Sequence, residues 1–311
     1  MTTPAVDTVR SAPAEAARLM RWATYASMAV ALTLILAKTI AWMLTDSVVV
    51  LATLIDSTLD AMASLLNLLA VHHAITPADK EHRFGHGKAE ALAGLGQSAF
   101  IAGSAGFLLL ESVRRLLNPV PITSFGPGLV VMLFSIAATL ALMAFQRYVI
   151  SKTDSTAIKA DALHYRTDFL VNTSVIVALL LAVKGWVGFD ALFAIGIAIY
   201  ILYSSWSIVR QSLDDLMDRE LPNEERENIK RIALAHSSVR GMHDLRSRRS
   251  GIDTFIQLHL ELDDNLTLLH AHEISDAVEF KLLEAYPSAE IIIHIDPISV
   301  VPDEPQPVFL Q

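Results

Sequence analysis

Six long apolar stretches fill the first two thirds of this 311-residue chain, and they constrain its fold more than any other feature. Because a helix needs about 20 mostly apolar residues to cross the hydrocarbon core of a bilayer, each stretch predicts a transmembrane helix. Hydrophobic residues make up 53% of the chain and the mean hydropathy is +0.44, which is too apolar for a soluble domain of this length. The predicted spans lie near residues 21–45, 47–74, 90–117, 126–150, 161–184 and 188–211.

The composition changes abruptly after residue 211. The remaining residues carry 20 Asp and Glu against 9 Lys and Arg, so we expect a separate acidic, soluble domain. This charge argues against nucleic acid as a partner. The predicted domains are a six-helix transmembrane bundle over 18–211 and a cytoplasmic domain over 212–301, with disordered ends at 1–17 and 302–311.

The tail pattern predicts a small α+β unit. Helix, two strands, helix and strand follow one another, and this order suits a ferredoxin-like, metallochaperone-like sheet with helices on one face. The predicted elements are a helix from Pro222 to about residue 236, strands over 239–248 and 252–261, a helix over 267–286 and a strand around 291–293.

Basic residues near the predicted spans indicate the orientation of the chain. They precede span one, and they occupy the connections between spans two and three and between spans four and five, so these segments are predicted to be cytoplasmic. Both termini then lie inside the cell, and membrane lipid surrounds the bundle.

The chain contains no cysteine, so any metal must be held by imidazole and carboxylate groups. These ligands suit zinc, iron, cobalt, nickel, manganese or cadmium and disfavour Cu(I).

Two pairs of polar residues lie within the predicted spans, each with a spacing of four. Asp56 and Asp60 share one face of span two, and His164 and Asp168 share one face of span five. A carboxylate at mid-bilayer costs about 2.5 to 3.5 kcal/mol, so we interpret the four as ligands of one tetrahedral, zinc-type site. The alternative is that they cap helices or form interhelical hydrogen bonds.

Two further groups of candidate ligands lie outside the spans. Asp79, His82 and His86 occupy the connection after span two, where Gly85 and Gly87 allow tight turns, although a polar turn with incidental histidines has the same pattern. In the tail, which holds six of the 11 histidines, the candidates on or beside predicted strands and the second helix are His243, His259, His272, His294 and Asp296. Structural, hydrogen-bonded histidines are the alternative there.

Together with the two spaced pairs, three separated segments resemble the cation diffusion facilitator family, and within it the proteobacterial ferrous-iron and zinc efflux pumps. The likeness covers about residues 18–302. The segments are Pro77-Ala-Asp79-x-x-His82-x-Phe-Gly85-His86-Gly87-Lys88-x-Glu90, Gly241-Met-His243-Asp-Leu-Arg246 and Ile293-His294-x-Asp296-Pro297.

This resemblance implies a homodimer in a bacterial inner membrane. It also implies that the two spaced pairs form the transport site, that the loop ligands form a second site, and that the tail ligands form a two-metal cluster at the dimer interface. Lys88 and Asp218 match an intersubunit charge interlock, and Leu163 matches a hydrophobic gate. Lys80 departs from the pattern, because the near relatives have an acidic residue there, and this weakens the expected loop site.

The expected activity is efflux of Zn²⁺ or Fe²⁺, with Cd²⁺, Co²⁺ and Mn²⁺ as further substrates, in exchange for protons by alternating access. The same metals are expected as structural or regulatory ions. The alternatives are a divalent-cation channel, a membrane-anchored metal sensor and an intramembrane metalloenzyme. The enzyme is disfavoured because the chain lacks a His-Glu-x-x-His motif.

Overall fold

The structure is a computed structural model that describes residues 13–45, 48–117, 128–183 and 189–301. The side chains of some residues within helices, that of Asp56 among them, lie outside this description. The chain divides into two compact units, Met1–Leu213 and Asp214–Gln311.

Long helices form the first unit. They are α1 (Pro13–Thr45), α2 (Val48–Ala74), α3 (Lys88–Leu117), α4 (Gly128–Thr153), α5 (Thr156–Val183) and α6 (Phe189–Leu216). Helix α1 begins at Pro13, within the segment that the sequence predicts to be disordered. Proline suits this position, since the first turn of a helix has no intrahelical use for its backbone N–H.

Within the described residues, five helices are long and apolar enough to cross a membrane, namely α1, α2, α3, α4 and α6. The helix α5 is not among them, and its first half carries Lys159, Asp161, His164, Arg166 and Asp168. Many large apolar side chains of the five helices face outward, which is typical of a surface covered by lipid. The first unit is therefore a membrane domain, and the sixth span stays a prediction.

The polar helix α5 lies against α1, α2, α3 and α4. Its first turn is held by Ser155, whose Oγ accepts a hydrogen bond from the Ile158 amide at 3.2 Å, and by Glu90 of α3, whose Oε1 accepts one from the Ala157 amide at 3.4 Å. Such side-chain acceptors satisfy amides that the helix itself leaves without a partner. These contacts fix where α5 begins, and so where His164 and Asp168 lie.

The second unit is a small mixed α+β domain. Its elements are α7 (Asn223–Ala233), β1 (Gly241–Ser250), β2 (Asp253–Leu262), α8 (Leu268–Ala285) and β3 (Ala289–Pro297), close to the predicted bounds. The sheet order is β1-β2-β3, with β1 antiparallel and β3 parallel to β2. Three strands are described, so the name ferredoxin-like stays a prediction.

Alternation along β2 separates the two faces of this sheet. Ile256, Leu258 and Leu260 are fully buried against a core that includes Ile229 of α7 and Leu282 of α8. Because successive strand residues point to opposite faces, His259 lies on the face away from this core. The helices thus cover one face and leave the other for polar chemistry.

Candidate metal centres

Three predicted ligands of the transport site come together between α2 and α5. The Nε2 atom of His164 lies 3.1 Å from Oδ1 of Asp60 and 3.8 Å from Oδ2 of Asp168. One ligand atom from each residue lies within 4.8 Å of the other two. Asp56, the fourth predicted ligand, belongs to α2, but its side chain lies outside the described residues.

These separations fit a single metal ion. Ligands at about 2.0 to 2.2 Å from a tetrahedral ion are roughly 3.4 Å apart, which lies between the two measured distances. The His164 ring is buried, and its Nε2 atom makes no well-aligned hydrogen bond with any described side chain. A buried nitrogen that faces two carboxylates without such a bond is a suitable metal donor.

Leu163, the predicted gate, is buried beside this site. It belongs to an apolar cluster of α3, α5 and α6 that also contains Ile101, Ala105, Ala160, Ile201 and Ile208. The cluster places an apolar wall next to His164. Its role as a gate stays a prediction.

A buried polar network, which the sequence did not reveal, lies one helical turn before His164. Asp161 is fully buried, and its carboxylate accepts hydrogen bonds from Ser27 of α1 at 2.5 Å, Gln146 of α4 at 2.7 Å and Gln97 of α3 at 3.3 Å. Tyr165 extends the network, since its hydroxyl donates to the Ser27 carbonyl at 3.1 Å. Side chains from α1, α3 and α4 therefore fix the turn of α5 that presents His164.

The loop residues also come together. The Nε2 atom of His86 lies 3.4 Å from Oδ2 of Asp79, and Nδ1 of His82 lies 3.6 Å from Oδ1 of the same carboxylate. The backbone amides of His82 and Glu81 donate hydrogen bonds to Asp79, and they lower the pKa of its carboxyl below its usual value. Gly85 has a φ of 76°, a conformation that glycine adopts without strain.

In the tail, strand register places three histidines in one row. His243 pairs with His259 across β1 and β2, and His259 pairs with His294 across β2 and β3. Adjacent imidazole rings in this row lie 4.9 and 4.6 Å apart, centre to centre. The row crosses the face of the sheet away from the helices.

Asp296 joins this row of histidines. Its Oδ2 lies 2.7 Å from Nδ1 of His259 and 3.5 Å from Nε2 of His243, and its Oδ1 lies 3.0 Å from Nε2 of His294. His243, His259 and Asp296 each offer one ligand atom, and these three atoms lie within 4.8 Å of one another. The donors present are those that a zinc-type ion prefers.

His272 is not brought to this cluster within the chain. It lies on α8, is largely exposed, and has its Nδ1 3.4 Å from Oδ1 of Asp276. Two acidic residues that sequence reasoning missed lie beside the cluster instead. Glu261 has its Oε1 3.0 Å from Nδ1 of His243, and Asp244 has its Oδ2 3.9 Å from Nε2 of His259.

The predicted interlock residues lie in different units of the chain. Lys88 is the first residue of α3. Asp218 has its Oδ1 3.1 Å from Nη1 of Arg248 within the tail unit. Pairing of Lys88 with Asp218 between subunits stays a prediction.

Comparison with known families accounts for most of the chain. The family described as the cation efflux transmembrane domain matches residues 24–217, and the family described as the cation efflux protein cytoplasmic domain matches residues 221–298. Among curated proteins, the cation-efflux pump FieF of Klebsiella pneumoniae is 50% identical over 292 residues, covering 94% of this chain and 97% of the relative. FieF of Citrobacter koseri is 49% identical over 287 residues, covering 92% and 96%.

Among solved structures, the metal-bound C-terminal domain of the CzcD transporter from Thermotoga maritima is 24% identical to this chain. The match covers 25% of this chain and 95% of that domain, with a TM-score of 0.24.

Proposed function

Because this chain belongs to the cation efflux family, also called the cation diffusion facilitators, and is a membrane transporter rather than an enzyme, we propose that it exports a divalent transition metal in exchange for protons. Zn²⁺ and Fe²⁺ are the foremost substrates, with Cd²⁺, Co²⁺ and Mn²⁺ as further candidates. The observation that carries this proposal is the convergence of Asp60, His164 and Asp168 between α2 and α5.

The chemistry of these donors supplies the coupling to protons. Imidazole and carboxylate must be deprotonated to bind a metal ion, so protons compete with the metal for the same atoms. On the less acidic cytoplasmic side the site loads metal, and on the more acidic outer side protons displace it. Asp56 is the fourth ligand in this proposal, because it lies four residues before Asp60 on α2.

Alternating access provides the movement. Helices that bear the site rock between inward-facing and outward-facing states, and Leu163 closes one side of the site. Release toward the acidic side then requires no change of ligands, because protonation weakens the bound state in place.

The other two sites are proposed to hold resident metal ions. The donors of the loop and of the tail fit a zinc-type ion, and each cluster is exposed to solvent on at least one side. In the proposed homodimer, the tail cluster lies at the subunit interface, where His272 of a second copy of this chain joins it, and Lys88 pairs with Asp218 across subunits. The protein then lies in a bacterial inner membrane with both termini in the cytoplasm.

Transport by purified protein in liposomes tests this function. Wild type should move zinc saturably. The flux should be faster when the compartment that receives the metal is the more acidic one. Asp168→Ala should reduce this flux at least about 100-fold, because removal of one direct ligand costs more than the 10- to 100-fold typical of residues that merely support a ligand.

Ser174→Ala is the matched control, since the Ser174 hydroxyl bonds only to the Val171 carbonyl of its own helix among the contacts described. It should transport like wild type. Undiminished zinc flux in Asp168→Ala would disprove the assignment of the site. Flux that neither saturates nor responds to pH would identify a channel instead of a carrier.

A further inference from the structure

We propose that His73 is the fourth ligand of the loop site, which then holds its metal ion with three imidazoles and one carboxylate. This inference rests on the proposed loop site of Asp79, His82 and His86. His73 lies in the last turn of α2, outside the connection that supplies the other three ligands.

Ring positions carry the inference. The His73 and His86 rings lie 4.5 Å apart, centre to centre, and the His82 and His86 rings lie 4.6 Å apart. Two imidazoles bound to one tetrahedral ion have ring centres about 5 Å apart. His73 is therefore as close to the His86 ring as His82 is.

The same ring spacing recurs in the tail cluster. There, the neighbouring histidines on the sheet are separated by 4.9 and 4.6 Å. The 4.5 Å between the His73 and His86 ring centres is thus similar to the distances in the other histidine pairs that are proposed to share an ion.

The end of α2 is built to hold His86 in this position. The Thr76 amide donates to the His73 carbonyl at 3.0 Å, which turns the chain directly after the helix. The Thr76 carbonyl then lies 3.3 Å from Nδ1 of the buried His86. A hydrogen bond at Nδ1 directs the lone pair of the other ring nitrogen, Nε2, toward the metal position beside Asp79.

The three ligands of the loop connection leave one of four tetrahedral positions open. Closed structural sites for zinc-type ions have four protein ligands, whereas the loop connection alone supplies three. Both His73 and His82 are exposed, so either ring reaches an ion from the solvent side without loss of packing. A bound ion would then hold the exposed His73 and His82 rings together on the solvent side of the loop site.

The alternative is that His73 is only a helix-end cation. Imidazolium near a helix C-terminus is favoured by the helix dipole, and His72 has the same location. A dipole effect does not distinguish the two neighbours, whereas coordination requires His73 and excludes His72.

A metal ligand at His73 links the loop site to α2, the helix that also carries Asp60. His73 lies 13 residues after Asp60 on α2, about 20 Å along the helix axis. Metal bound in the loop would tie the end of α2 to the connection that leads into α3. Occupancy of the loop site would then bias the movement of the helix that carries Asp60.

The decisive experiment exploits the absence of cysteine from this chain. His73→Cys is made in the full-length protein with Asp60→Ala and His259→Ala, which disable the other two centres, and is titrated with Co²⁺. A thiolate bound to Co²⁺ gives a near-ultraviolet charge-transfer band, so a band is expected at one equivalent. His72→Cys in the same background should give none, and adding His86→Ala to His73→Cys should remove the band.

Zinc affinity gives a second, independent measurement. In the same background, His73→Gln should weaken calorimetric zinc binding at least about tenfold, and His72→Gln should leave it unchanged. A missing band in His73→Cys, or unchanged affinity in His73→Gln, would overturn the inference while leaving the three-ligand loop site in place.

If the background protein binds no zinc at all, both the loop site and its fourth ligand are disproved. The transport function is decided separately, by the liposome flux of wild type and Asp168→Ala.

Discussion

Glu261 and Asp244 illustrate how single side chains acquire a role from their neighbours. On sequence alone, Glu261 is an ordinary polar residue on a strand, and nothing marks it as a partner of His243. Asp244 has a φ of 45° at an irregularity in the pairing of β1 with β2, and its carboxylate approaches His259. Bulges often redirect a side chain in this way, and local sequence pattern does not reveal them.

Asp253 gives a prediction for the stability of the tail. Burial, followed by the nearby charge of Glu290, raises the pKa of its carboxyl above the usual value. The folded state thus holds this proton to a higher pH than the unfolded state, and stability falls as pH rises through that interval. Asp253→Asn should therefore stabilise the tail at neutral pH by about 0.5 kcal/mol, a small value because the group is only partly buried.

Hydrogen exchange of the β2 amides in the full chain, compared between variant and wild type after correction for intrinsic rates, measures this effect. The difference should be present at pH 7 and should vanish only in acid below the usual pKa of an unfolded-state aspartate, where Asp253 is protonated in both states. Glu279→Gln serves as the control for loss of one negative charge, because Glu279 lies on α8 and Asp253 lies on β2. An equal gain at acid pH would contradict the electrostatic cause.

Among the elements, α5 carries the greatest conflict between composition and location. It lies against four other helices of the membrane domain, yet its first half contains Lys159, Asp161, His164, Arg166 and Asp168. The structure resolves part of this conflict by enclosing Asp161 with donors from α1, α3 and α4. The i,i+4 pair of His164 and Asp168 follows directly on the same helix, so the network that stabilises Asp161 also positions this pair of proposed ligands.

Asp161→Asn should therefore lower the stability of the fold more than the intrinsic affinity of the site for metal. Its new amide N–H groups would face the donors of Ser27, Gln97 and Gln146, and a buried polar group left without a partner costs about 1 to 3 kcal/mol. We expect a lower thermal midpoint in detergent together with reduced flux.

Asp168→Asn provides the contrast, because it removes a ligand at a more exposed position. It should keep its thermal midpoint close to that of wild type while losing zinc flux. If Asp161→Asn instead lost flux with an unchanged midpoint, Asp161 would act in transport directly and not as a positioning residue.

For the whole molecule, the two family matches divide the chain at about residue 220, and among the described residues two groups of candidate metal ligands lie in the first part and one in the second. The candidate ligands of the tail come from three strands, whereas those of the proposed transport site come from two helices. Metal binding in the tail and metal transport in the membrane should therefore respond to different substitutions.

His259→Ala should remove the central proposed ligand of the tail row, lower the metal content of the purified protein and weaken association of the proposed dimer. Zinc flux should fall only partly, because Asp60, His164 and Asp168 are untouched. Metal analysis, analytical ultracentrifugation and liposome flux measure the three effects. His270→Ala, which changes an exposed histidine of α8 paired with Glu273, should leave all three unchanged, and full loss of flux in His259→Ala would contradict the separation of the sites.

The sequence by itself determined the features that repeat along one element. Apolar length predicted the helices of the membrane domain, a spacing of four placed His164 and Asp168 on one helix face, and alternation located β2 within a residue or two. The resemblance carried by the separated motifs identified the family correctly. These signals are local, because each depends only on the geometry of a single helix or strand.

Tertiary structure alone decided which residues from different elements meet. Strand register aligned His243, His259 and His294, the turn after α2 brought His73 to His86, and helix packing enclosed Asp161, whereas His272 lies apart from the tail cluster within the chain. The physical reason is that register and helix packing depend on contacts between residues far apart in sequence. A slip of one residue in β2 would turn His259 to the opposite face without changing the composition of the chain.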